Sequence, residues 1–173
     1  MIVRSLALTG HRPQKLDGYD ITRSFYMNLR DYLMRGLTGE LARLDLDDVL
    51  ECHSGLALGA DTIWSQAILT AKASDARVRF VAHTPTLTQA SKWRYADQVA
   101  WQHQRDAADE EVVYATSYTR SCMQDRNIGM IARCDLLIAI WDGKQAGGTW
   151  NAVNHARRIG KTLIVAHPDT FRA

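Results

Sequence analysis

The chain has 173 residues, of which 46% are hydrophobic, and a formal net charge of +2. Its length fits one globular domain with a sizeable core, so we expect a single domain over residues 1–173. The weak and scattered positive charge gives no electrostatic argument for a nucleic-acid or membrane partner. No apolar run is long enough to span a bilayer, and residues 2–8 lack the pattern of a signal peptide, so we expect a cytoplasmic protein.

Short apolar runs alternate with segments of helical periodicity along the chain. The apolar runs predict six strands, at residues 2–8, 49–53, 78–82, 111–114, 136–141 and 162–166. The helical patterns predict five helices, at residues 21–44, 61–73, 87–108, 120–133 and 149–158. Continuous apolar strands that alternate with helices are typical of a mainly parallel sheet covered on both faces. The sequence therefore predicts an α/β, Rossmann-like domain.

Glycine-containing turns follow three of the predicted strands, at residues 9–12 (T-G-H-R), 54–61 (S-G-L-A-L-G-A-D) and 147–149 (G-G-T). Ligands of parallel sheets bind beyond the carboxyl ends of the strands, and the amino end of a helix favours an anion. The turns therefore predict a phosphate site, although the glycines could also serve only to permit tight turns. The candidate phosphate contacts are Thr9, Gly10, Ser54, Gly55, Gly59, Gly147, Gly148 and Thr149.

Three residues of these turns have specific candidate roles. Arg12 is expected to hold a phosphate with its planar guanidinium, and His11 to supply a hydrogen bond or a proton; the alternative is an exposed loop pair. Asp61 either contacts a ribose hydroxyl or only favours the start of its helix.

Further candidates lie in the second half of the chain. Arg126 and Asn127 belong to the fourth predicted helix, where we expect a polar side that faces the ligand rather than a solvated one. Trp141 ends an apolar strand, where it either packs in the core or stacks on a base, and Asp142 follows it.

Several types of site are disfavoured. The chain has neither a G-x-G-x-x-G turn with a following acidic residue nor a G-x-x-x-x-G-K-[ST] loop, which argues against dinucleotide redox chemistry and P-loop phosphoryl transfer. The three cysteines lack C-x-x-C spacing, and the histidines lack ligand spacing. We therefore predict no metal site and no cofactor.

Several short motifs follow one another along the chain. They are T-G-H-R-P at 9–13 with G-Y at 18–19, S-G-x-A-x-G-x-D at 54–61, M-Q-x-R-N at 123–127, A-I-W-D-G at 139–143 and G-G-T-x-N at 147–151. In this order they resemble the motifs of the YpsA-like branch of the SLOG superfamily. The resemblance implies a Rossmann-like fold that binds nucleotides or nucleotide-derived sugars, and it suggests homo-oligomers, such as dimers. The superfamily also holds the lonely-guy phosphoribohydrolases and the DNA-processing protein A family.

One position departs from the hydrolases of that superfamily. Their G-G-x-G-T-x-x-E signature carries a glutamate that acts on the N-glycosidic bond, whereas Ala152 stands three residues after Thr149 here. An enzyme would therefore have to use Asp61 or Asp142 as its catalytic carboxylate.

Three functions follow from these observations. The first is a protein that binds or senses a nucleotide or an ADP-ribose-like molecule. The second is an N-glycoside hydrolase or transferase acting on nucleoside monophosphates. The third is a DNA-binding module, which the lack of a basic stripe disfavours.

Overall fold

The computed structural model describes residues 1–172. Six strands of these residues form one sheet in the order β4-β3-β2-β1-β5-β6, and every neighbouring pair is parallel. The prediction of an α/β, Rossmann-like fold with a mainly parallel sheet is confirmed, and in the part of the chain that the structure describes the sheet is parallel throughout. In chain order, the strands are β1 (Val3–Gly10), β2 (Val49–Ser54), β3 (Val78–Thr84), β4 (Glu110–Val113), β5 (Leu136–Ile140) and β6 (Thr162–Ala166).

In the described chain, five α-helices and two short 3-10 helices connect and follow these strands. The third predicted helix is too long at its start: the chain between residues 86 and 93 instead makes successive turns, such as the bond from Gln89 N to Thr86 O (3.0 Å). The first predicted helix is shorter at both ends. Asp20 accepts the Thr22 N–H (3.0 Å) in a local turn before the helix, and Arg43 N donates to the Glu40 carbonyl (3.1 Å) in a tighter turn after it. The helices are α1 (Ser24–Leu41), α2 (Ala60–Ser74), α3 (Tyr95–Asp106), α4 (Cys122–Arg133) and α5 (Gly147–Arg158), with 3-10 helices at Pro13–Lys15 and Pro168–Phe171.

Apolar side chains cover both faces of the sheet, as alternation along buried strands requires. On the first face, α1, α2 and Trp101 of α3 pack with large strand residues such as Leu8 and Phe80. On the second face, α4 and α5 pack on smaller residues such as Ala7. The chain therefore leaves β1 toward the first face and leaves the neighbouring β5 toward the second, which makes the β1–β5 junction the topological switch point.

No helix among residues 1–172 combines the length and the apolar character that crossing a bilayer requires.

Two histidines lie fully buried under α4 on the second face. His53 Nδ1 is 2.9 Å from His83 Nε2, and His83 Nδ1 is 2.9 Å from the Tyr114 hydroxyl. Burial, with a smaller contribution from Arg133, lowers the pKa of His53 to about 4. Burial and the neighbouring His53 lower the pKa of His83 to about 2. Both rings are therefore neutral near pH 7 and act as hydrogen-bonding parts of the core.

These histidines predict a loss of stability in mild acid. In the unfolded chain a histidine has a pKa of about 6.5, so below that pH the unfolded state binds more protons than the folded state. The free energy of unfolding should be insensitive to these rings above pH ~6.5 and should fall between pH ~6.5 and ~4, by up to about 1.4 kcal/mol per pH unit for each ring. Urea unfolding at several pH values measures this slope.

A variant separates these rings from the carboxylates that also titrate in acid. His83→Gln keeps a hydrogen-bonding side chain but cannot bind a proton, so its slope should be shallower by up to about 1.4 kcal/mol per pH unit. Parallel curves for the variant and the parent protein would mean that His83 does not contribute.

Candidate functional site

A cavity of about 480 Å³ opens at the carboxyl end of β1, beside the switch point. The loop after β1, the start of α2, one side of α4 and the amino end of α5 form its walls. Among described residues, no group of three His, Cys, Asp or Glu side chains is arranged to hold a metal ion. The cavity brings together these candidates from the sequence: Thr9, Gly10, His11, Arg12, Asp61, Arg126, Asn127, Gly147, Gly148 and Thr149.

Arg12 lies in the loop between β1 and the first 3-10 helix, with its side chain exposed at the cavity. Within residues 1–172 its guanidinium makes no hydrogen bond and no ion pair, so all of its donors are available to a ligand. The loop itself is held in place, because His11 N donates to the Ile140 carbonyl of β5 (3.3 Å). Arg12 is thus an exposed, unpaired cation on a backbone that is held in place.

Arg126 enters the cavity wall from α4 and is only 5% exposed. Its Nη1 donates to the carbonyl of Gly55 and lies 3.8 Å from Asp61 Oδ2. Its Nε is buried and has no hydrogen-bond partner among the residues described. Burial lowers the pKa of Arg126 while Asp61 opposes that shift, yet a guanidinium remains protonated at neutral pH. The site therefore contains a buried cation whose hydrogen bonding is incomplete.

Asp61 belongs to the first turn of α2 and is buried beside Arg126. Burial raises the pKa of this carboxyl, while Arg126, Arg12 and the Ala57 N–H, which donates to Oδ2 (3.3 Å), act in the opposite direction. A carboxyl with a raised pKa can either accept a hydroxyl donor or deliver a proton.

His11, Asp142 and Thr149 form a chain of polar contacts at the edge of the cavity. His11 Nε2 lies 3.0 Å from Asp142 Oδ1, and His11 Nδ1 lies 3.4 Å from Thr149 Oγ1. Burial acts to raise the pKa of Asp142, but hydrogen bonds from Lys144 N and His11 hold it below its ordinary value. The Asp142 backbone N–H also donates to His11 Nε2 (3.2 Å), so Asp142 contacts this nitrogen through both its carboxylate and its main chain. Asp142 therefore contacts the His11 ring but does not line the cavity wall.

The amino end of α5 faces the cavity with its backbone N–H groups. Ala146 precedes the helix in an extended conformation, offers no side-chain cap, and no acidic residue occupies the first turn. The first N–H groups of a helix have no partner within the helix, and they carry its positive dipole end. A side chain added at Gly148 would meet open space. This end of α5 is accordingly open to an anion.

Three candidates of the second turn lie outside the cavity lining. Ser54 is fully buried, and its hydroxyl contacts Ser65 Oγ (2.8 Å) and accepts the Leu56 N–H (3.3 Å). A Cβ at Gly55 would lie 1.5 Å from Arg126 Nη1, and a Cβ at Gly59 would lie 2.5 Å from the His11 carbonyl. Gly59 also has φ +100°, which L side chains rarely adopt. The missing side chains of Gly55 and Gly59 leave room for the Arg126 guanidinium and the His11 carbonyl, respectively. The sequence analysis expected this room to serve a phosphate.

Trp141 likewise lies in the interior rather than at the cavity. Its ring stacks on Trp150 with centroids 5.6 Å apart, and its Nε1 donates to the Lys144 carbonyl (2.9 Å). Of the two interpretations of Trp141, core packing is the one that its surroundings support.

The cavity also contains residues that the sequence analysis did not select. Gln14 and Lys15 come from the 3-10 helix directly after T-G-H-R-P, so extending that motif by two residues would have included them. Met123 and Met130 line the same side of α4 as Asn127, which helical spacing places on one face.

The contact between Gly55 and Arg126 predicts a cost for even a small side chain. Gly55→Ala must displace a buried guanidinium, so the free energy of unfolding should fall by about 1–3 kcal/mol. Gly39→Ala in α1 is the control, because its Cβ would meet open space and alanine favours a helix by up to about 1 kcal/mol. Chemical unfolding of both variants measures the difference, and equal stability of the two would contradict the close approach.

Comparisons with known proteins give a distant relative. No family model matches the chain. The chain is similar to the "Uncharacterized SPbeta prophage-derived protein YoqJ" of Bacillus subtilis (strain 168), with 28% identity over 131 residues, which cover 67% of this chain and 75% of the relative.

Proposed function

We propose that this protein binds a nucleotide, or a nucleotide-derived molecule such as an ADP-ribose relative, with a phosphate in the cavity beside β1. The observation that carries the proposal is the convergence of three positive groups without a full set of partners. These are the open amino end of α5, the free guanidinium of Arg12 and the buried guanidinium of Arg126. Phosphate oxygens can satisfy helix N–H groups and guanidinium donors at the same time.

The remaining walls suit the rest of a nucleotide. A cavity of about 480 Å³ lies within the usual range for small-molecule sites. Asp61 offers an acceptor for a ribose hydroxyl, and Asn127 has a half-buried amide without a hydrogen-bond partner in the described chain. The resemblance to the YpsA-like branch of the SLOG superfamily supports the same ligand class. We propose membership of that branch on the motifs of the three turns.

Arg12 provides the test of the phosphate assignment. Arg12→Ala should weaken binding of a nucleoside monophosphate by about 2–3 kcal/mol, or roughly thirty- to a hundred-fold, since a charge-assisted contact to the anion is lost. Arg12→Lys keeps the charge but loses the bidentate geometry, so it should also weaken binding. Isothermal titration calorimetry measures both.

Two controls make this test specific. Arg35→Ala removes an exposed arginine of α1 that does not line the cavity, and it should leave the affinity unchanged. The nucleoside without phosphate should bind Arg12→Ala and the parent protein equally well. An equal loss for both ligands would mean that Arg12 shapes the loop rather than holding phosphate.

A catalytic function is the second candidate, and Asp61 is the observation in its favour. Asp61 is the one carboxylate in the cavity lining of residues 1–172, and burial raises its pKa, as general acids require. Against catalysis, Ala152 occupies the position of the hydrolase glutamate, and it packs in the interior with Ala7 and Met130. Binding without turnover therefore remains our first proposal.

Chromatography of reaction mixtures distinguishes the two functions. We expect no release of free base from common nucleoside monophosphates above the background rate. If base is released at a rate that collapses in Asp61→Asn, the protein is an N-glycosidase and the binding proposal is wrong. Asp125→Asn, an exposed position of α4 outside the cavity lining, is the matched control.

We also propose that the protein forms homodimers, which the resemblance suggests. The exposed apolar residues Ile164 and Val165 of the edge strand β6 support self-association, since exposed strand edges favour pairing.

A further inference from the structure

A second cavity, of about 420 Å³, lies on the opposite side of the loop that follows β1. Arg12 lines the first cavity, whereas the adjacent Pro13 lines the second, together with Gly59 and residues of α2 and α3. The two cavities share no lining residue. The second cavity is therefore a separate site, which the proposed phosphate contacts do not include.

The amide of Gln104 is the unexplained group in this cavity. Gln104 belongs to the last turn of α3, is only 6% exposed and lines the cavity. Its side chain makes no hydrogen bond to any residue described. Neither amide atom is among the fully buried unpaired atoms of the described chain, so the amide is open to the cavity. An amide of this kind needs a ligand or a water to satisfy it.

Neighbouring polar groups do not compete for this amide, because they already have partners. Trp101 Nε1 donates to Gln89 Oε1 (3.0 Å), and Thr62 Oγ1 donates to the Ala57 carbonyl (3.1 Å). Arg94, the cation of this cavity, is paired with Asp97 through two hydrogen bonds of 2.8 and 3.2 Å. A second phosphate site is disfavoured by this pairing. The cavity instead suits a neutral group that can satisfy one amide.

The other walls are largely aromatic. Trp93 and Trp101 meet edge to face with ring centroids 6.4 Å apart, and Tyr19 lies under the guanidinium of Arg94 at 5.4 Å. Aromatic faces stack on planar rings, and an amide offers a donor beside an acceptor. Glutamine pairs with adenine in this way, since the amide oxygen accepts from the exocyclic amine and the amide nitrogen donates to a ring nitrogen.

We propose that the second cavity binds a planar nitrogen heterocycle of the adenine type, with the Gln104 amide hydrogen-bonded to the edge of the ring. The ring has two possible sources: the base of the ligand whose phosphate occupies the first cavity, or a separate nucleoside. This inference does not depend on the phosphate assignment, because adenosine alone carries the group that is recognised.

Calorimetric titration with adenosine tests the proposal. The parent protein should bind adenosine saturably, and Gln104→Leu should lose about ten-fold or more in affinity. The unfolding midpoint of Gln104→Leu should be unchanged or higher, because the amide has no hydrogen-bond partner in the described chain and leucine is of similar size. Gln102→Leu, an exposed position of the same helix, should keep the affinity for adenosine.

Other results would overturn the proposal. These are no saturable binding of adenosine to the parent protein, equal affinity in Gln104→Leu, or a Gln104→Leu variant that unfolds at a lower midpoint, which would give the amide a structural role.

A titration with AMP then identifies the source of the ring. A loss in Gln104→Leu for AMP as large as for adenosine indicates one ligand with its base in this cavity, and a loss for adenosine alone indicates a separate nucleoside. Arg12→Ala should weaken AMP without weakening adenosine, so failure of one proposal can be told from failure of the other.

Discussion

The burial of the Arg126 guanidinium is the constraint on which the arrangement of the site depends. A buried cation is costly unless hydrogen bonds and an opposite charge compensate it. The Gly55 carbonyl and the Asp61 carboxyl supply part of that compensation. Their positions tie α4 on one face of the sheet to the turn between β2 and α2. The absence of a side chain at residue 55 follows from the same contact, because a Cβ there would occupy the place of the guanidinium.

Close contacts between the loop after β1 and α2 separate two cavities of different chemistry. Gly10 has no room for a Cβ beside Ala60, and Gly59 has none beside the His11 carbonyl. On one side of this contact, Arg12 and the amino end of α5 make the cavity electropositive. On the other side, Trp101 and its aromatic neighbours make the cavity suited to a planar ring. Our two proposals assign phosphate to the first and a heterocycle to the second.

Most of the fold could be predicted from the sequence, because few other folds are compatible with continuous apolar strands between amphipathic helices. The third helix was predicted too long because the backbone of residues 86–93 forms local turns that hydrophobic periodicity does not report. In the site, the residues that follow β1 and precede α5 were predictable, since strand ends in a parallel sheet meet at one edge. Ser54 and Trp141 also follow or end strands, yet their side chains turn inward.

The sequence by itself determined the mainly parallel sheet and the cationic loop, because each depends on local pattern or on the order of elements along the chain. Only the tertiary structure decided the strand order, which sets the switch point, and which polar residues are buried. Gln104 is one of many glutamines in the sequence, and His83 is one of several histidines. They differ from the others because residues distant in the chain bury them. Such burial changes the free energy of a polar group, but no local sequence pattern reports it.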